Sequence, residues 1–134
     1  MKLRGVVIPI GASICILSLP VIAQTSNDWV RIDKPNELRA LYSDKTFKGK
    51  DGWGVSWIAH YRADGKGILI RGQGLRFPRT WEIKGSDQVC VTEERGVTCY
   101  TFERHRENSN QIRARKVHDN HADYFTVEDG VPQF

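Results

Sequence analysis

Apolar and polar residues alternate along much of this chain with a period of two, in short runs separated by turn-forming residues. A strand points successive side chains to opposite faces, so each run predicts a half-buried β-strand. Residues 53–62 place Trp53, Val55, Trp57, Ala59 and Tyr61 in one phase and Gly54, Ser56, Ile58, His60 and Arg62 in the other. Ala63-Asp64-Gly65-Lys66 follows as a hairpin turn of the primed type that Asp-Gly favours, and residues 67–71 return. Residues 72–78 read as a looser connection carrying Phe77, and residues 79–84 as a strand with Trp81 and Ile83 in phase. Gly85-Ser86-Asp87 turns into a pair of strands at 88–93 and 97–103. A polar loop at 105–110 leads to a last pair at 111–118 and 122–128, joined by Asp119-Asn120-His121.

A helical period occurs once. In Pro35-Asn36-Glu37-Leu38-Arg39-Ala40-Leu41-Tyr42 the side chains of Leu38, Leu41 and Tyr42 share a face, Pro35 suits the first turn, and Asp33 is placed to cap it. So short a helix is not stable alone in water and must pack on a sheet edge or a barrel mouth. About seven or eight short strands with turns every eight to twelve residues have the rhythm of an antiparallel sandwich or barrel. Consecutive hairpins favour a meander that curls round, and closure removes the edges along which sheets aggregate. The predicted fold is mainly β: a small antiparallel up-and-down β-barrel or strongly curved meander sheet with one short N-terminal helix.

Cysteine placement sharpens this. If Glu93-Glu94-Arg95-Gly96 closes the hairpin, Thr92 faces Val97 and Cys90 falls opposite Cys99. Directly opposed residues have Cβ atoms about 4.5–5.5 Å apart, close enough for a disulfide after modest adjustment. A Cys90–Cys99 hairpin disulfide is therefore expected. The N-terminus supplies the compartment: Lys2 and Arg4 precede an apolar run at 6–19, and Val21-Ile22-Ala23 makes a small-residue cleavage site. That is the pattern of a secretory signal peptide at 1–23, too short for a spanning helix, and it takes Cys15 with it. The expected organisation is a loose arm at 24–34 whose Trp29 docks on the body, one domain at 35–130, and a frayed tail at 131–134. Location in the periplasm or outside the cell follows, with no stable membrane span after cleavage.

Charge changes little. The chain has 20 basic and 16 acidic residues, and losing Lys2 and Arg4 leaves 18 against 16. So slight an excess predicts no nucleic-acid partner. Nor do the residues suggest an enzyme or a cofactor. There is no Gly-x-Ser-x-Gly elbow, Glu93, Glu94, Glu103 and Glu107 fall at turns or outward positions, and Gly72-Gln73-Gly74 lacks the last glycine and the helix of a dinucleotide loop. His118-Asp119-Asn120-His121 is a weak metal candidate needing further ligands from His60 or His105, and a solvated polar turn is the plainer reading.

Two candidate surfaces remain. Trp53, Trp57, Tyr61 and Trp81 are expected to line one side of neighbouring strands, either as filled core or as an open calyx for a small apolar ligand. Arg113, Arg115 and Lys116 form a basic face that suits an anionic envelope component, or simply an outward face kept charged.

The succession LRALYSDKTFKG (38–49), YRADGKG (61–67), TWEI (80–83), Val89-Cys90-Val91 and Gly96-Val97-Thr98-Cys99 resembles a family of small secreted alphaproteobacterial proteins of unknown function. Its pattern is a helix, a Gly-Lys-Thr-like segment, a Tyr-x-x-Asp-Gly hairpin, a Gly-x-Trp strand and a C-terminal cysteine pair. Here Ser43-Asp44-Lys45-Thr46 and Arg79-Thr80-Trp81 stand for two of these segments, each without its glycine. The resemblance implies a lipocalin-like β-barrel and carries no catalytic residue across. The expectation is a non-enzymatic binding or envelope accessory protein. The alternative is an interaction or inhibitor module acting through its loops, with histidine-based metal binding behind both.

Overall fold

The computed structural model describes residues 28–134, so the expected signal peptide, Cys15 and the start of the arm lie outside the described residues. The elements in chain order are β1 (Trp29–Ile32), α1 (Pro35–Tyr42), β2 (Lys45–Lys50), β3 (Ser56–Tyr61), β4 (Lys66–Arg71), β5 (Leu75–Lys84), β6 (Gln88–Glu93), β7 (Gly96–His105), β8 (Gln111–Lys116) and β9 (Ala122–Asp129). Strands β2 to β9 pair antiparallel in chain order, and β9 returns to β2. The result is a closed eight-stranded up-and-down barrel, the fold read from the alternation.

Small interiors of this size are filled by side chains from alternate positions. Phe47, Ala59, Tyr61, Trp81, Val89, Val91, Phe102, Ile112, Ala114, Phe125 and Val127 point in and are buried. The helix does not lean on the rim. Leu38, Leu41 and Tyr42 are buried within that cluster, and the Tyr42 ring stands 4.6 Å from Tyr61, 4.9 Å from Phe47 and 5.2 Å from Trp81. Helix α1 thus plugs one end of the barrel. Its N-cap position is Lys34, not Asp33, and no side chain caps it; Pro35 opens it and the Ser43 hydroxyl closes it on the Arg39 carbonyl at 2.6 Å.

The stapled hairpin has the expected register, with Cys90 opposite Cys99 and bonded to it, and Thr92 opposite Val97. Glu93 also pairs with Gly96, so only Glu94 and Arg95 are left in the loop.

Several boundaries differ from expectation for local reasons. The arm is not loose throughout: β1 pairs with β7 over residues 102–105, just beyond the stretch of β7 that β6 occupies. Residues 45–50, unassigned from the pattern, form β2. Residues 51–55 are a loop instead of the start of a strand, because the Asp51 carboxylate accepts hydrogen bonds from Trp53 N and Val55 N and Gly54 takes a φ of +79°. In the Ala63-Asp64-Gly65-Lys66 turn Gly65 alone is left-handed (φ +89°), so the turn is not the doubly left-handed primed form. Residues 75–78 belong to β5, where Pro78 pairs with Ile68 of β4 and lies beyond the reach of β6, leaving one edge open as a strand proline requires. The tail is docked: Phe134 lies over His60 and the Arg62 guanidinium sits 5.6 Å from its ring.

Candidate functional site

Eight inward-facing rows do not fill this barrel completely. At the end opposite α1 the interior opens into a cavity of about 230 Å³, between the β2–β3 loop and the start of β9. Its apolar walls are Phe47 (β2), Trp57 (β3), Leu69 (β4), Phe102 (β7) and Phe125 (β9). Phe125 stacks on Phe47 at 4.5 Å and meets Trp57 edge-on at 5.8 Å, so three rings brace one another on that side. Two glycines make room for the rings. A Cβ at Gly49 would lie 2.6 Å from the Trp57 ring, and one at Gly67 2.5 Å from the Tyr61 ring.

The polar lining is Tyr42, Tyr61 and Tyr100, the guanidiniums of Arg79 and Arg71, and the carboxylates of Asp51 and Asp123. At the mouth Asp51 accepts from Arg71 Nε at 2.7 Å and Nη2 at 2.6 Å. Slight desolvation pushes the Asp51 carboxyl up, but those bonds and the Val55 and Trp53 amides hold it below its ordinary value. Asp123 faces His121 Nε2 at 3.3 Å.

Arg79 projects inward from β5 in phase with Trp81. It donates to Glu93 Oε2 at 3.2 Å and to the Tyr61 hydroxyl at 3.4 Å. Its Nε is the one buried side-chain donor or acceptor among the described residues without a partner. Burial pushes the Tyr61 and Tyr42 hydroxyls up and Tyr100 up to about 12, so all three stay protonated donors at neutral pH. Burial opposes the charge on Arg79, yet Tyr61 and Glu93 raise its pKa, and it remains a fixed cation. The site therefore offers the hydrogen-bond donors of Tyr61, Arg79 and Tyr100 beside the aromatic faces of Phe47, Trp57 and Phe125.

No family model, curated protein or solved structure matches the chain. Chemistry alone must speak for the site.

The four aromatic residues singled out from the sequence divide. Trp57 and Tyr61 line the cavity. Trp81 does not: it is buried beneath Tyr42, with its Nε1 donating to the Arg62 carbonyl at 2.8 Å. Trp53 is 87% exposed in the β2–β3 loop, outside the strand phase that was expected to carry it inward. The basic face is largely compensated. Arg113 donates to both Glu103 oxygens at 2.9 and 2.6 Å, Arg115 donates to the same carboxylate at 3.1 Å, and Lys116 lies where β8 ends. Arg113 also stacks on Trp29, 4.7 Å from the ring. His118 and His121 are exposed at the β8–β9 turn; His60 instead bonds Thr46 Oγ1 at 2.9 Å on the barrel exterior. Among the described residues no three His, Cys, Asp or Glu side chains converge as metal ligands. Arg79 and Glu93 were missed as site residues. Their signal was phase: Arg79 is two residues from Trp81, and Glu93 two from Val91, both inward.

Proposed function

We propose that this is a non-enzymatic binding protein of the periplasm or cell exterior that holds a small ligand inside its barrel. One observation carries the reading: the interior is left open among Trp57, Leu69 and Phe125, with Tyr61, Arg79 and Tyr100 also lining it. Dispersion favours filling such a space, and ligand sites are concave, mostly apolar and equipped with a few polar groups. The volume lies below the ~300–1,000 Å³ of drug-sized pockets, so the occupant has one ring or a short chain. The Cys90–Cys99 disulfide fits an oxidising compartment and supports export. Among the described residues no helix is long and apolar enough to cross a membrane.

The test is calorimetric titration with a neutral one-ring probe, 3-phenylpropan-1-ol, beside the Leu69→Trp variant, which narrows the cavity. Saturable binding to the parent and none to the variant supports the reading. No binding to the parent at millimolar probe refutes it. A second reading, an interaction module working through its loops, is favoured by the exposed indole of Trp53 at the open end. It predicts that Trp53→Ser leaves probe binding intact and removes partner capture.

A further inference from the structure

Resting on that reading of the cavity, we propose that its occupant is a small carboxylate whose anionic group is received by Arg79 and whose apolar body lies among Trp57, Leu69 and Phe125. Among the described residues six arginines have a carboxylate partner, and comparing Arg71, Arg79 and Arg113 shows that they are not equally served. On the outer face Arg113 and Glu103 form a two-pronged pair at 2.9 and 2.6 Å, and at the mouth Arg71 grips Asp51 at 2.6 and 2.7 Å. Both are satisfied structural pairs. Arg79 instead makes one contact to Glu93 at 3.2 Å and one long contact to Tyr61 at 3.4 Å.

A guanidinium carries five donors arranged as a fork for planar oxyanions. The Arg79 side chain is only 17% exposed and its Nε is sealed without a partner. A buried donor left unmade costs free energy of the size of a hydrogen bond to a charged group, so folding alone does not explain the arrangement. A carboxylate in the cavity would take the Nη donors that Tyr61 and Glu93 hold only at 3.4 and 3.2 Å, beside the protonated Tyr61 and Tyr100 hydroxyls. The opposing charges do not forbid it. Asp51 is neutralised by Arg71, and Asp123 stands on β9, across the barrel from Arg79, with its side chain 44% exposed to solvent. Glu93 is the real competitor, and with its side chain a third exposed it can turn outward to solvent.

The position also suits a molecule with two ends. In a ring of eight strands β9 stands diametrically across from β5, so Phe125 faces the Arg79 wall. An anion on β5 would direct its carbon skeleton toward the Phe125–Trp57 side. One ring with a short acid chain matches that span.

The experiment compares 3-phenylpropionate with 3-phenylpropan-1-ol at pH 7 by calorimetry on the disulfide-bonded protein. The acid should bind about ten- to a hundred-fold more tightly than the alcohol, the range for a hydrogen bond to a charged group. Arg79→Met should weaken the acid far more than the alcohol and bring their ratio close to one. Glu93→Gln should tighten the acid several-fold and raise the acid-to-alcohol ratio, an effect of opposite sign that loss of folding cannot mimic and that decides the matter if Arg79→Met is unstable. Equal affinities for acid and alcohol, or an acid-to-alcohol ratio indifferent to Glu93→Gln, would overturn the carboxylate assignment and leave the cavity reading standing. Failure of both probes to bind would take both down.

Discussion

Replacing Gly67 by alanine tests the packing that shapes the cavity. The added Cβ would stand 2.5 Å from Tyr61 Cδ1, 2.9 Å from Cε1 and 3.0 Å from the His60 carbonyl oxygen. The last contact is with backbone of the paired strand β3 and cannot move without opening the ladder. The ring is equally confined, with Tyr42 at 4.6 Å and Phe47 at 5.1 Å on its other sides. Overpacking in such a setting costs about 1–3 kcal/mol. Gly67 is not in the left-handed region, so alanine recovers about 0.5–1 kcal/mol of the conformational entropy that glycine loses in a strand. The net expectation is destabilisation by about 1–2 kcal/mol, a drop of about 1 M in urea midpoint at a slope near 1.5 kcal/mol/M. Gly52→Ala is the control, because nothing lies within 4 Å of its Cβ, and it should stay within about 0.5 kcal/mol of the parent. The decisive comparison puts Gly67→Ala into a Tyr61→Ala background, where both ring contacts are gone and only the 3.0 Å approach to the His60 carbonyl remains, so the cost should fall clearly below its value in the parent. An equal cost in both backgrounds would refute the account, since it would place the penalty in the backbone instead of the Tyr61 ring.

Other outcomes follow from the same structure. Leu38→Ala, at a fully buried helix position, should cost about 2–5 kcal/mol in urea unfolding; a cost under 1 kcal/mol would mean that α1 lies on the rim and is no plug. Reducing Cys90–Cys99, which closes a loop with a separation of 9 residues, should lower stability by about 2–3 kcal/mol with the far-UV circular dichroism unchanged, and a reduced protein as stable as the oxidised one would rule that out. Hydrogen bonds from Arg113 hold the Glu103 carboxyl below its ordinary 4.5 despite partial desolvation. A carboxyl depressed in the folded state stabilises above its unfolded pKa and loses that contribution as pH falls through the folded value. The gap in urea midpoint between the parent and Glu103→Gln should therefore be widest near pH 7 and close below pH 4.5; a gap independent of pH would deny the pair any such role.

What was legible in the chain was whatever the barrel writes as alternation. Trp57, Ala59 and Tyr61, or Val89 and Val91, are inward apolar residues two apart, and the opposition of Cys90 and Cys99 fixed a register that the ladder keeps. Strand β2 was hidden because of its inward residues Lys45, Phe47 and Gly49 only one is a large apolar side chain, glycine being required there to seat Trp57. Strand β1 has four residues and only Ile32 buried, so its pairing is set by the vacant length of β7 and not by its own pattern. Trp53 misled for the opposite reason: it kept the phase of the strand while Asp51 and Gly54 had already turned the backbone. Arg79 was passed over because charge is assumed to point outward, although its phase with Trp81 and Ile83 said otherwise.

The two ends of the barrel are built from different materials, and that contrast explains why one end is open. Around α1 the interior is closed by the aliphatic side chains of Leu38, Leu41, Val89 and Ile112 and by Trp81, whose Nε1 is already bonded to the Arg62 carbonyl. From the Tyr42–Tyr61 contact outward the inward positions carry side chains tipped with polar groups: Tyr61, Arg71, Arg79, Tyr100 and Asp123. Their stems can pack, but their tips must each find a partner or reach water, which prevents the end from collapsing as the aliphatic end does. Arg71 finds Asp51, Asp123 finds His121, and Tyr61 receives Arg79. Filling the space with leucines would be the cheaper way to stabilise an empty barrel. A cation kept inside on two long contacts is better explained by something that enters from outside to meet it.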